Sequence, residues 1–534
     1  MSPLLFIALS LSCSQEPVET SPWVMLPPRE QLLRLSVDLR GRHPTEEDLL
    51  AIEADPALYP WYVDRWLSGP DFVDRMTEVW AGRLLTQTGD AYDLSVEGAT
   101  EEEIAQAIGL EPLALFREIL EQDQPYGQIV LADHTVANPL LAELFALDRQ
   151  EGEGWTPATY LDGRPHAGIL TMNGTWLRYA SMGGNANRHR ANALSKMLLC
   201  DDYLTRPIVL SRAAVDQLVL DPEDAISEND ACQSCHSTLD PLAAHLFGFF
   251  EAEDEELGIL YHPEHEQGWR DWSGKGPGYY GLPTANLGEL AQAIAEDGRF
   301  ADCAAQTAFE GLLQRAVQDE DWTALQGHRA AFVDHGQSIK ELVRSVLLSP
   351  EYRAQATTDP DIAARFSGVR TASPAQLAGI MQGITGYRWT FDGVEGLRSN
   401  SLGLPVLAGG IDSLFVTTRG YEPGVGTLFT LERLAWSAAY DVARQDLAVD
   451  RQGEARLLLY VTVEDRPETS AERFDAQIRH LYLAATGLPL ALDATEPALL
   501  SALWAEVWSV EGDATLAWAA VLSAVLRDPR VLTY

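Results

Sequence analysis

Two cysteines and a histidine stand close together in the chain, at a spacing that has a chemical use. Cys232, Cys235 and His236 form the pattern CxxCH. Thiols three residues apart on one helical turn can each add to a vinyl group of haem, and the next side chain then directs an imidazole at the iron. The pattern is specific, because cysteine is rare in this chain. It predicts one covalently bound haem c with His236 as the proximal ligand.

The same pattern leaves two alternatives open. A CxxC pair in an exported protein can form a redox disulfide, although the strand that precedes such pairs in thioredoxin-like proteins is missing here. A zinc site needs two further ligands, which His262 and His265 could supply. The spacing of these histidines is tighter than zinc sites usually have, and the intervening loop is long.

The residues after the motif fit a haem site. We expect Asp240-Pro241 to end a short helix. A carbonyl near this turn could accept the Nδ1–H of His236, which would fix the ring and raise its basicity. The following apolar residues could wall a haem pocket or form ordinary core. They are Leu239, Leu242, Leu246, Phe247, Phe249 and Phe250.

The second axial ligand of the iron has several candidates. Met182 is favoured, because the loop Ser181-Met182-Gly183-Gly184 would let its side chain reach across a ring face. The others are Met172, His189 and His245. Methionine ligation would give a higher reduction potential than a second histidine.

Three cysteines lie outside the motif. In an oxidising compartment, Cys200 and Cys303 would form a disulfide whose loop encloses the motif, and two free buried thiols are the alternative. Cys13 ends an apolar run from Leu4 that is too short to span a bilayer and is typical of an export signal. Small residues before Cys13 predict lipid attachment to it. A wrongly assigned start codon, truncating a longer signal, is the alternative.

The charge of the chain restricts its partners. Among its 534 residues, 79 are acidic and 38 are basic, and the formal net charge is −41. Such a surface repels phosphate backbones, so we expect no nucleic-acid binding. It would attract a basic redox partner.

Helical periodicity dominates the chain and predicts a mainly α, multi-domain protein. We expect a signal peptide at 1–13 and a tether at 14–28, followed by a helical domain at 29–150. A haem c domain follows at 151–355, and a C-terminal helical module with minor β structure at 373–534.

Local patterns predict individual elements. Thr45 opens a helix as a capping box, and the stretches Asp71–Leu85, Thr100–Gln122 and Thr135–Leu147 have helical spacing. The best strand candidates are 416–418 and 456–463.

With these features, the chain resembles the planctomycete-type exported cytochromes, multi-domain proteins of aquatic and soil bacteria. Only CxxCH with its trailing Asp-Pro is a sharp match. The resemblance implies haem binding and export, suggests that Cys200 and Cys303 recur as a pair, and supplies no substrate. The matching stretches are Leu32–Leu49, Gly168–Cys200, Ala231–Pro241, Leu290–Gln314 and Ser373–Ala439.

The chain departs from that family at two points. The family usually carries a histidine where Met182 stands, and an aromatic-rich Gly-Phe segment where this chain reads Leu242-Ala243-Ala244. An exchange of histidine for methionine is one that axial ligands tolerate, so position 182 stays a candidate.

The sequence therefore favours an exported, single-haem electron-transfer lipoprotein of the periplasm or outer membrane. A haem peroxidase or another oxidative enzyme is the alternative if the second axial position is open. A surface scaffold with a structural haem or zinc site is a third hypothesis. No Ser-His-Asp array, P-loop or GxGxxG after a strand is convincing.

Overall fold

The computed structural model describes residues 21–181, 183–209, 229–249, 261–448 and 455–534, with the single positions 212, 215, 219 and 226. Cys13, Met182 and Phe250 lie outside the described residues. Elsewhere the chain is mainly helical and multi-helix, which confirms the predicted fold class at that level.

Helices build most of the described structure. The longer ones are α1 (Pro28–Arg40), α2 (Glu46–Ala54), α3 (Tyr59–Leu67), α4 (Pro70–Leu84), α5 (Glu101–Glu121), α6 (Arg188–Leu199), α7 (Asp230–Ala244), α8 (Leu287–Glu296), α9 (Gly298–Leu313), α10 (Trp322–Asp334), α11 (Ile339–Leu348), α12 (Pro374–Thr385), α13 (Val425–Asp446), α14 (Ala471–Thr486), α15 (Glu496–Glu511) and α16 (Ala514–Leu526). Shorter helices span Gln128–Leu131, Pro139–Leu144, Asn173–Arg178, Trp269–Trp272, Pro350–Arg353, Pro360–Ala363, Leu404–Leu407 and Pro529–Leu532. Among the described helices, none is both long and apolar enough to cross a membrane.

The strands are short and form small antiparallel sheets. They are β1 (Trp23–Met25), β2 (Thr135–Ala137), β3 (Asp148–Arg149), β4 (Thr156–Thr159), β5 (Gly278–Tyr279), β6 (Leu282–Pro283), β7 (Ala354–Thr357), β8 (Thr390–Phe391) and β9 (Val394–Glu395). β1 pairs with β7, β4 lies between β2 and β3, and the last two sheets are the hairpins β5–β6 and β8–β9.

Side-chain caps explain where two predicted helices begin. Thr45 accepts a hydrogen bond from the backbone N–H of Asp48, and the Asp48 carboxylate accepts one from Thr45, which completes the predicted capping box of α2. Thr100 and Glu103 do the same at α5. α5 therefore matches the helix predicted at Thr100–Gln122. α4, which has no side-chain cap, also matches its predicted range, Asp71–Leu85.

The prediction of one helix over Thr135–Leu147 is wrong. Residues 135–137 form β2, which pairs with β4 from the Gly- and Pro-rich segment that follows. The helix begins only at Pro139, where the side chain of Asn138 accepts a hydrogen bond from the backbone N–H of Leu141.

Both strand candidates of the C-terminal module are also wrong. The Asp412 carboxylate accepts hydrogen bonds from the backbone N–H groups of residues 414–416 and so turns the chain just before 416–418. In the segment 456–463, the backbone pairs with the side chains of Asp446 and Gln477 and with no neighbouring strand. Side-chain acceptors therefore replace a sheet partner in both segments.

Buried apolar residues form two core clusters. The first cluster runs from Leu32 to Tyr352. It contains residues on both sides of the domain boundary that we expected near residue 150. The second runs from Ala372 to Leu532 and also includes Val37 of α1. The expected linker at 356–372 falls between the two clusters, and α1 contributes to both of them.

A buried carboxylate connects the two clusters. Asp38 of α1 accepts hydrogen bonds from Tyr352, at 2.7 Å, and from Arg370, at 2.8 Å. The hydroxyl of Tyr534 donates a third, at 2.6 Å. Asp38 and Arg370 are both 3% exposed at their side chains, so this ion pair is buried.

Candidate haem site

α7 carries the whole CxxCH motif. The side chain of Asn229 caps its first turn by accepting a hydrogen bond from the backbone N–H of Ala231. A helix advances 100° per residue, so Cys232, Cys235 and His236 lie on one side of α7. Cys232 is half-buried, Cys235 is buried, and both are free thiols. The two thiols and the imidazole are the donor set that haem c attachment needs.

The helix is longer than predicted. It continues through Asp240-Pro241 to Ala244. A proline inside a helix removes one backbone hydrogen bond, but Leu242 on the next turn is fully buried and holds the helix against the first core cluster, as does Leu246 just after the helix. The prediction that Asp240-Pro241 ends the helix is therefore wrong.

The extra turn places a carboxylate beside the imidazole. Nδ1 of His236 lies 2.9 Å from Oδ1 of Asp240, four residues later on the same helix. The acceptor is thus a carboxylate and not the backbone carbonyl that we expected. Because an ionised carboxylate can only accept, Nδ1 carries the proton and Nε2 keeps its lone pair. Within the described residues, Nε2 has no hydrogen-bond partner.

Two cations keep that carboxylate ionised. Nε of Arg188 lies 2.7 Å from Oδ1 of Asp240, and Nζ of Lys275 lies 3.6 Å from Oδ2. Burial raises the pKa of Asp240, but the hydrogen bonds from His236 and Arg188 outweigh it and lower the pKa to about 2. Asp240 is therefore a buried anion that orients the ring of His236.

Lys275 also attaches the segment after position 260 to the motif. Its Nζ lies 3.2 Å from the carbonyl oxygen of His236 and 3.4 Å from the side-chain oxygen of Gln233. Neither Arg188 nor Lys275 was identified from the sequence, because nothing in their local pattern shows that they meet α7. Asp240 could have been recognised, since four residues separate neighbours on a helix face.

The apolar residues that follow the motif are buried. Leu239, Leu242, Leu246 and Phe249 belong to the first core cluster. The ring of Phe249 lies 5.8 Å from that of Trp176 and 4.9 Å from that of Tyr261. Leu239 lies three residues after His236, and Leu242 lies seven residues after Cys235, so both share the motif's side of the helix, whereas Leu246 and Phe249 follow its end. These last two are ordinary core.

The alternatives for the second axial ligand are distinguished by their placement. His245 stands nine residues after His236, which is half a rotation away, so the two rings lie on opposite sides of the helix. Nε2 of His245 bonds to Thr284 at 2.8 Å, and burial lowers its pKa to about 4. His245 is thus unsuited to an iron held by His236. Met172, another candidate, is fully buried in the first core cluster.

His189 follows Arg188 at the start of α6. Its Nδ1 lies 3.0 Å from the carbonyl oxygen of Ala180, so Nδ1 carries the proton and Nε2 keeps its lone pair. The described parts of the loop before α6 are fixed by Ser181, whose hydroxyl accepts a hydrogen bond from the backbone N–H of Asn187. The described residues 183–187 lead into α6, where Arg188 contacts Asp240.

The remaining cysteines are joined. Cys200 and Cys303 form a disulfide with an S–S distance of 2.12 Å. It links the end of α6 to α9 across a sequence separation of 103. The loop that it closes contains the CxxCH motif.

The two histidines of the zinc alternative lie in the segment after position 260. The rings of His262 and His265 are 5.0 Å apart. Over the described part of the chain, no group of three or more His, Cys, Asp and Glu side chains gathers around a possible metal position. A structural zinc ion is normally held by four protein ligands.

No protein-family model, curated protein or solved structure matches this chain. Function must therefore be argued from the geometry of the site itself.

Proposed function

We propose that the protein is an exported c-type cytochrome that carries one haem and transfers electrons. The observation that carries the proposal is the arrangement on α7. Cys232 and Cys235 are free thiols on one helical turn, and Nε2 of the adjoining His236 is available while Nδ1 is held by Asp240. A lone imidazole beside two thiols suits haem c attachment better than it suits a zinc site.

The chain's own residues have distinct parts in this proposal. Cys232 and Cys235 would attach the group through thioethers, and His236 would be its proximal ligand. The bound group would supply a single-electron Fe(III)/Fe(II) couple. Asp240 holds the imidazole in the orientation and protonation state that ligation requires, and Arg188 and Lys275 hold Asp240.

Export and electron transfer are supported by two further features. A disulfide such as Cys200–Cys303 persists in oxidising compartments, which favours a place outside the cytoplasm. The net charge of −41 would steer a basic protein partner to the surface. Lipid attachment at Cys13 would hold the protein at the periplasmic side of a bacterial membrane.

The proposal is tested by producing the full chain with a c-type haem maturation system. We expect the wild type to keep a haem absorption spectrum after denaturation, because the attachment is covalent. Cys232→Ala should lose most of that absorption, and Ser234→Ala, an exposed change inside the motif, should keep it. A colourless wild type, or equal retention in Cys232→Ala, would contradict the proposal.

The second axial ligand is tested with the same preparation. We propose Met182 for this position, with His189 as the alternative that the geometry leaves available. If Met182 is the ligand, Met182→Ala should change the ferric spectrum from low spin to high spin, and His189→Ala should not. The reverse pattern would assign His189. A high-spin wild type that binds peroxide rapidly would favour an oxidative enzyme instead.

A further inference from the structure

The long helix α13 is apolar on two opposite sides. One side packs against α16 in the second core cluster through buried residues that include Leu431, Leu434 and Val442. A helix at a protein surface normally presents polar residues to water, and a helix that is apolar all round is normally covered all round. The second apolar side of α13 therefore indicates a surface that another molecule covers.

The outward side of α13 carries exposed apolar side chains, which together are termed the α13 stripe. Their exposed fractions lie between 43% and 72%. Since a helix advances 100° per residue, they fall within about a third of its circumference. The stripe consists of Val425, Leu428, Phe429, Trp436 and Tyr440.

The size of the α13 stripe distinguishes it from scattered apolar residues on a surface. Aromatic side chains have areas of about 150–250 Å², and Val and Leu somewhat less, so the exposed fractions leave roughly 500 Å² of apolar surface in water. The largest patches of monomeric proteins measure about 300–600 Å². With the polar residues at its edges, the stripe approaches the roughly 800 Å² that each partner buries in a stable interface.

The spacing of the stripe is the same in both directions along the helix. Phe429 lies three residues before the central pair at 432–433, and Trp436 lies three residues after it. Val425 and Tyr440 continue the pattern, each four residues further out. A surface with this symmetry, turned through 180°, fits a second copy of itself.

We propose that the α13 stripe is the interface of a symmetric homodimer, in which the α13 helices of two copies pack antiparallel about a twofold axis between positions 432 and 433. Phe429 then faces Trp436 of the second copy, and Val425 faces its Tyr440. The reverse contacts follow from the symmetry. The proposal does not depend on haem, and either proposal can fail alone.

The central pair gives the interface complementary charges. In this register, Glu432 of one copy faces Arg433 of the other, on both sides of the axis. Within one chain the two do not face each other, because adjacent residues of a helix point in different directions. Both are exposed. Glu432 has a 3.8 Å contact with Arg527, and Arg433 forms no ion pair within the described residues.

The charges also favour a second copy over other occupants. A helix that lies in a lipid surface is normally rich in Lys and Arg on its polar side, whereas one acidic and one basic residue balance each other at the centre of this stripe. A strongly basic protein would find no excess of acidic residues there. The net charge of −41 makes two copies repel each other, but salt screens this repulsion.

The test is sedimentation equilibrium of the full chain over a range of concentrations in about 0.3 M salt. All samples carry Cys13→Ala, so that an attached lipid cannot cause association. We expect the parent chain to form a dimer. Glu432→Arg should weaken dimerisation by about tenfold or more, and so should Arg433→Glu, because each places like charges opposite each other twice. Glu506→Arg, an exposed change on α15, should change it by no more than about twofold.

The register is tested by mixing the two single variants. In a mixed dimer of Glu432→Arg with Arg433→Glu, every facing pair is again of opposite charge, so the mixture should dimerise about as tightly as the parent chain. This recovery would also show that both variants are folded. A monomeric parent chain, equal dimerisation of all variants, or no recovery in the mixture would overturn the proposal. So would a monomeric parent chain that binds neutral phosphatidylcholine vesicles, which would assign the stripe to a lipid surface.

Discussion

Asp240 is the residue on which the geometry of the candidate haem site depends. It lies one helical turn after His236, accepts the hydrogen bond from Nδ1, and is itself paired with Arg188 and Lys275. A carboxylate in this position makes the imidazole a stronger electron donor than a carbonyl acceptor would. Asp240 is thus a positioning residue that would set the potential without touching the iron.

Asp240→Asn should therefore raise the reduction potential. The change removes a buried negative charge and weakens the donor strength of His236, and both effects disfavour the ferric state. We expect an increase of about 60 mV or more, the one-electron equivalent of a tenfold change. Potentiometric titration measures it, with the exposed Asp271→Asn as the control. An unchanged or lower potential in Asp240→Asn would show that Asp240 does not tune His236.

His134 allows a pH-dependent prediction away from the site. The hydrogen bond to Glu118, at 2.8 Å, is the main cause that raises its pKa from 6.5 to about 9. The folded protein then holds this proton more tightly than the unfolded chain, so the stabilisation is present below pH 6.5 and is lost as the pH rises through about 9.

Urea unfolding of the wild type and His134→Gln at several pH values checks this. The wild type should be the more stable at about pH 6, and the difference should largely disappear by about pH 10. The exposed His335→Gln controls for loss of a surface histidine. A stability difference that does not vary with pH would contradict the prediction.

At the scale of the elements, the sequence predicts features that depend on neighbouring residues and misses features that depend on distant contacts. The capping boxes at Thr45 and Thr100 use neighbours three residues apart, and the sequence shows both partners. The segment 456–463 has strand composition, but Asp446 and Gln477 determine its backbone, and no local pattern shows this. The same limit applies to the site, where CxxCH is local but Arg188 and Lys275 arrive from other elements.

The disulfide belongs to this scale, since it ties α6, which supplies Arg188, to α9. Replacing both cysteines, as Cys200→Ala with Cys303→Ala, should lower the free energy of unfolding by about 2–5 kcal/mol. The main reason is that the unfolded chain gains conformational entropy when the disulfide no longer closes a long loop. Denaturant unfolding measures the loss, and a reductant should produce a similar loss in the wild type. A change of less than about 0.5 kcal/mol in the variant would contradict this.

For the whole molecule, the arrangement of the two cores is the main result. α1 contributes to both clusters, and Asp38 connects it to Tyr352 on one side and to Arg370 and Tyr534 on the other. A cleft of about 1710 Å³ also lies between the same two clusters. Neither the shared helix nor the cleft could be predicted from the sequence, because both depend on residues hundreds of positions apart.

Asp38→Ala should consequently destabilise the whole chain. It leaves the buried Arg370 without its carboxylate, which should cost about 3–5 kcal/mol of unfolding free energy. Asp441→Ala, which breaks the exposed pair with Arg444, should cost about 0–1 kcal/mol. Similar losses of unfolding free energy in the two variants would show that the connection between the two core clusters does not depend on Asp38.

The central claim is that one haem is attached to α7 through Cys232 and Cys235. The most direct measurement is the intact mass of the mature protein from its native membranes, combined with a pyridine haemochrome spectrum and elemental analysis of the same sample. We predict a mass increase of one haem in addition to the lipid proposed at Cys13, a c-type haemochrome and one iron per chain. Unmodified protein, or zinc in place of iron, would contradict the account.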